Sequence, residues 1–91
     1  MELKQETEDK LLQIKNSLDK QIKIEIAGNN STKLKFIYRN KRINLEVKNN
    51  NTVLLYEINP EQNIFIVDTV SINDLVYIKY RVESHLDIIK S

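Results

Sequence analysis

Two runs of strict alternation, Lys33-Leu34-Lys35-Phe36-Ile37-Tyr38-Arg39 and Ile43-Asn44-Leu45-Glu46-Val47-Lys48, restrict the fold of this chain more than any other feature. A period of two marks strands with one face buried. With Asn40 and Lys41 as a two-residue loop, and Asn tolerating the positive φ that such turns need, Tyr38 pairs with Ile43, Phe36 with Leu45 and Leu34 with Val47. Every apolar side chain of one arm then meets an apolar side chain of the other. A slip by one residue would set Phe36 against a polar partner. The opposite face carries Lys33, Lys35, Ile37, Asn44, Glu46 and Lys48, with Arg39 and Arg42 at the tip.

The flanking segments extend the pattern. Gln21 to Ala27 alternates Ile22, Ile24 and Ile26 against Lys23, Glu25 and Ala27, and the run Gly28 to Thr32 reads as a loop. Carrying the hairpin register outward sets Glu25 beside Lys35 and Lys35 beside Glu46, a cross-strand row of alternating charge. On the other side, a short turn at Asn50 and Asn51 leads into Thr52 to Ile58, and Asn59-Pro60-Glu61-Gln62 turns the chain into Ile64-Phe65-Ile66-Val67. This phasing places Leu54, Tyr56, Ile58, Ile64 and Ile66 toward the core. Val53, Leu55, Phe65 and Val67, with Ile37 nearby, then form an apolar patch on the outer face, a surface that asks for a partner.

Helices are expected at both ends. Leu3, Thr7, Leu11, Ile14 and Leu18 form one narrow stripe over residues 2–20, suited to packing on the sheet. Leu75, Ile78, Val82, Leu86 and Ile89 share a face within residues 71–90, with Ser71 as a candidate N-cap. High β propensity through Val76, Ile78, Tyr80 and Val82 argues for a strand there. The pattern persists to Ile89, which favours the helix. The expected fold is α+β: an N-terminal helix, a five-stranded antiparallel meander (22–27, 33–39, 43–48, 52–58, 63–68) and a C-terminal helix, all in one domain spanning 1–91.

Composition narrows the chemistry. A chain of 91 residues without cysteine forms neither disulfides nor thiolate metal sites. Its start is charged, with neither a signal peptide nor a membrane span, and the expected setting is cytoplasmic. Abundant Asn, Ile and Lys match AT-rich coding, as in a low-GC bacterium or its phage. The single glycine excludes glycine-rich phosphate and dinucleotide loops. His85 is the one histidine, and it reads as a helix-surface residue at the sheet edge rather than as a catalytic base. The carboxylates are scattered, with Glu2, Glu6, Glu8 and Asp9 placed as a helix start favours. No enzyme activity, metal or cofactor is expected.

Two binding functions remain. The first is a small protein-interaction or regulatory domain that self-associates, or takes a protein partner, through Val53, Leu55, Phe65 and Val67. The second is single-stranded nucleic acid on the basic hairpin, where residues 33–48 sum to +5 while the whole chain is at +1. Its candidate contacts are Lys33, Lys35, Arg39, Lys41, Arg42 and Lys48. The gross layout is similar, in topology alone, to small single-strand-binding domains built from a curved sheet and a helix. Phe36 and Tyr38 lie opposite the lysines, however, and only Phe65 remains for stacking a base.

Overall fold

The computed structural model describes residues 5–27 and 32–88. The expected helical residues 2–4, 89 and 90 and most of the loop after Ala27 lie outside these. The elements run α1 (Gln5–Ser17), β1 (Lys23–Ala27), β2 (Lys33–Tyr38), β3 (Lys41–Val47), β4 (Thr52–Ile58), β5 (Ile64–Ser71) and α2 (Leu75–His85). The five strands form one antiparallel sheet in chain order, so β1 and β5 are its edges. The expected α+β meander is therefore the fold.

Leu11, Ile14 and Leu18 from the first helical stripe and Ile78, Val82 and Leu86 from the second join Leu34, Phe36, Ile43, Leu45, Val47, Val53, Leu55 and Val70 in a single core. The strand residues in this cluster pair with one another across the ladder, so they share one face. Both helices cover that face. Among the described residues no helix lies over the other face.

Register decides which residues lie where, and it departs from expectation in two ways. The β2–β3 loop is Arg39–Asn40, with Tyr38 opposite Lys41, Phe36 opposite Ile43 and Leu34 opposite Leu45. This is a slip of two residues, which leaves every side chain on its expected face. Alternation alone does not distinguish the two registers. Arg39, not Asn40, takes the positive φ of 55°, and its guanidinium lies 5.2 Å from the centroid of the Tyr38 ring.

The second departure is a slip of one. Lys48 N–H donates to the Thr52 carbonyl, and Val47 pairs with Val53 and Leu45 with Leu55. An odd loop of Asn49, Asn50 and Asn51 replaces the even turn expected at Asn50–Asn51, and an odd change inverts both following strands. Val53 and Leu55 are accordingly core residues at 0% exposure. Leu54, Tyr56, Ile58, Ile64 and Ile66, expected inside, are on the open face, where Tyr56 is nonetheless buried at 5% exposure.

A β-bulge interrupts β5. Leu55 pairs with Asp68 and Tyr56 with Ile66, leaving Val67 as the extra residue. Asp68 consequently points to the helical side while Ile64 and Ile66 point to the open one. Pairing of Thr52 with Ser71 also carries β5 past its expected end at residue 68. Ser71 is therefore a strand residue and not a helix cap. Asp74 caps α2 instead, its Oδ1 accepting from Tyr77 N–H at 3.2 Å. The helix stops early because Asp87 adopts φ 61°, with Ile88 N–H donating to the Glu83 carbonyl and Asp87 N–H to Ser84, a Schellman ending. At the other end of the chain, Asp19 stops α1 through its Oδ1, which accepts from Gln21 N–H at 2.8 Å.

Candidate binding surfaces

The bulge gives α2 its seat. Tyr77 Oη donates to Asp68 Oδ2 at 2.6 Å. Arg81 Nη2 donates to the Val67 carbonyl at 3.3 Å, and its Nε lies 3.2 Å from Asp68 Oδ2 as an ion-pair partner. The hydrogen bond from Tyr77 comes first in holding the Asp68 carboxyl below its usual pKa; the Thr69 N–H and Arg81 act in the same direction against partial desolvation. A depressed folded pKa means that Asp68 contributes its stability above the unfolded carboxylate range, about pH 4, and loses it as pH falls through the lower folded value. The Tm difference between wild type and Asp68→Asn is thus expected to be constant near neutrality and to close under acid. In Tyr77→Phe it closes at higher pH. A difference that stays constant down to pH 2 in thermal melts would refute this assignment.

A second tie joins the helices. Glu83, 3% exposed, accepts from the Asp19 N–H at 2.7 Å through Oε2, while Lys79 Nζ lies 2.8 Å from both of its carboxylate oxygens. Thr7, also buried, donates through Oγ1 to Asn50 Oδ1 at 2.9 Å and fixes α1 to the β3–β4 loop. His85 Nε2 lies 3.4 Å from Glu57 Oε2 at the sheet edge.

The expected outer patch of Val53, Leu55, Phe65 and Val67 is not formed. Val53 and Leu55 are inside, Val67 packs partly against the core, and Phe65 stays exposed. Charge on the first three strands and apolar groups on the last two is nevertheless the pattern of the open face, carried by Leu54, Tyr56, Ile58, Ile64 and Ile66. Nine large apolar or aromatic residues are exposed among the described residues, and Ile58, Ile64, Phe65, Ile66, Val76, Tyr77 and Tyr80 lie on β4, β5 or α2. The surface is concentrated at the β5 edge. Leu12 and Ile26, the other two, border an apolar groove of about 320 Å³ between α1 and the β1 edge.

The six basic hairpin residues do not act as one face. Lys41 points to the helical side and pairs with Asp87 at 2.9 Å. Lys33 and Lys48 each lie 3.5 Å from Glu46. Glu46 also meets Tyr56 Oη at 3.5 Å; burial first, then the Glu46 charge, raises the Tyr56 pKa. Glu25 stands opposite Lys35 as expected, but its carboxylate pairs with Lys23 at 3.4 Å. The expected row from Glu25 through Lys35 to Glu46 is therefore broken: Lys35 faces Asn44, and Lys33 faces Glu46. Lys35 and Arg42 have no carboxylate partner among the described residues.

These two cations share a groove that sequence reasoning missed. Pairing of β3 with β4 ends at Asn44 and Tyr56, and beyond it the strands part. The opening, about 710 Å³, is lined by Lys35, Asn40, Arg42, Asn44, Glu57, Ile58, Asn59, Pro60, Gln62 and Phe65. Phe65, assigned by sequence to the apolar patch, thus stands among basic and amide groups. Among the described residues there is no cluster of three or more metal-binding side chains, and no helix is long and apolar enough to cross a membrane. No family model, curated protein or solved structure matches this chain.

Proposed function

We propose that this chain is a non-enzymatic association domain that pairs with a second copy of itself along β5. The observation that supports the reading is the uncharged run Ile64, Phe65 and Ile66, at 61%, 54% and 66% exposure, on an edge strand. Edge strands are normally blunted by charge, proline or a covering element. The lower half of β5 is covered in this way by Tyr77 and Arg81, and β1 carries Lys23 and Glu25. Among the described residues the upper half of β5 has none of these. Antiparallel pairing about a dyad at Phe65 sets Ile64 of one copy against Ile66 of the other and brings no like charges together. Each such pair contributes about 0.2–1 kcal/mol, so the association is weak and depends on concentration.

Light scattering over a concentration series tests this. Wild type is expected to shift from monomer toward dimer, and Ile64→Lys with Ile66→Lys to remain monomeric with an unchanged melting curve, because both side chains face solvent. A wild type that stays monomeric at millimolar protein would overturn the proposal.

A further inference from the structure

We infer a second activity, binding of single-stranded nucleic acid in the groove where β3 and β4 part. The argument is one of chemical complement. Lys35 and Arg42 project from the open face and line the groove, and neither has a carboxylate partner among the described residues. Cations left in this way serve phosphates without first breaking an ion pair. Phe65, paired with Glu57 and so on the opposite face of the sheet from Lys35 and Arg42, lines the rim of the same groove, and base stacking on an aromatic there tolerates any base. Asn40, Asn44 and Gln62 add amides that donate and accept, as base edges require. A single strand fits this set because it offers phosphate and an unstacked base within one nucleotide; a duplex hides the base faces.

The remaining basic residues limit the footprint. Lys33 and Lys48 are engaged with Glu46, Lys41 with Asp87, and Arg39 lies over the Tyr38 ring outside the groove lining, so the groove neutralises only two phosphates. The expected ligand is a short segment of a few nucleotides, bound without strong sequence preference. Glu57, on the groove wall, faces His85 at 3.4 Å and takes no part in holding phosphate. The groove's two cations need no partner chain, while Phe65 is shared with the proposed dyad along β5.

Fluorescence anisotropy of a labelled oligothymidylate in low salt tests the inference. Two phosphate contacts predict a slope of about −1.4 for log K against log salt. Lys35→Ala with Arg42→Ala is expected to weaken binding at least tenfold, while Lys33→Ala with Lys48→Ala changes it less than threefold. Phe65→Leu, which keeps an apolar residue on the edge but removes the ring, is expected to cost about fivefold or more. Light scattering on the same samples separates the two functions, since the Lys35 and Arg42 variant leaves Ile64 and Ile66 intact. Absence of binding at low salt, or equal binding by the two double-alanine variants, would overturn the assignment.

Discussion

Leu55→Asp is expected to leave the chain unfolded at 25 °C, while Ile66→Asp, one strand away, leaves it folded. Leu55 is at 0% exposure, opposite Leu45 in the centre of the sheet and beneath the helices. Removing a buried leucine costs about 2–5 kcal/mol before any charge is considered. A carboxylate placed there without a partner adds several kcal/mol or stays protonated at its own cost. Together these exceed the lower end of the stability of small domains, about 5 kcal/mol. Ile66 is 66% exposed, and aspartate at that position changes stability by about 1 kcal/mol or less. Far-UV circular dichroism and amide dispersion in NMR spectra read both outcomes. A folded Leu55→Asp beside an unfolded Ile66→Asp would show the sheet to be facing the other way.

Glu83→Ala is expected to cost about 2–3 kcal/mol, the penalty for leaving a buried amide without the charged acceptor it uses in the native fold. The part-buried amide left unpaired is that of Asp19, which Glu83 holds at 2.7 Å, and the same carboxylate neutralises Lys79. For a domain of this size the loss corresponds to a Tm lower by about 10–20 °C. Glu83→Gln keeps a carbonyl acceptor for the Asp19 N–H and gives up the charge, for about 1 kcal/mol. Lys79→Ala costs less still, because its side chain is 42% exposed and the pair is screened. Hydrogen exchange at the Asp19 amide should accelerate in the alanine variant more than in the glutamine one. Equal stability of Glu83→Ala and wild type would remove Glu83 as the tie between α2 and the turn after α1.

Much of this architecture is legible in the sequence. Thr7, Leu11, Ile14 and Leu18 are buried as the helical stripe predicts, and Leu34, Phe36, Ile43, Leu45 and Val47 are buried as the alternation predicts. The limits have a common physical cause, which is that alternation reports the parity of a register and nothing finer. The two-residue slip at Arg39–Asn40 preserves parity and left the hairpin faces as expected. The one-residue difference around Asn50 reverses it and exchanges Leu55 for Tyr56, so the patch expected on Val53 and Leu55 became core. Three consecutive asparagines accommodate either loop. The groove joining Lys35 and Arg42 to Phe65 depends on where β3 and β4 cease to pair, a property of twist with no local signature. The Asp19 and Glu83 contact spans sixty-four positions and links a turn to a helix whose separate patterns predict only that each exists.

Val67 makes β5 two short strands in series, out of phase with each other. Asp68 to Ser71 belong to the monomer, since they anchor Tyr77 and Arg81 and set where α2 begins. Among the described residues, Ile64 to Ile66 pair with β4. The phase change works as a mechanical insulator: a substitution in the upper segment, or a partner drawn up against it, leaves the helix anchors unstrained. That segment can change its sequence while the rest of the fold keeps its geometry.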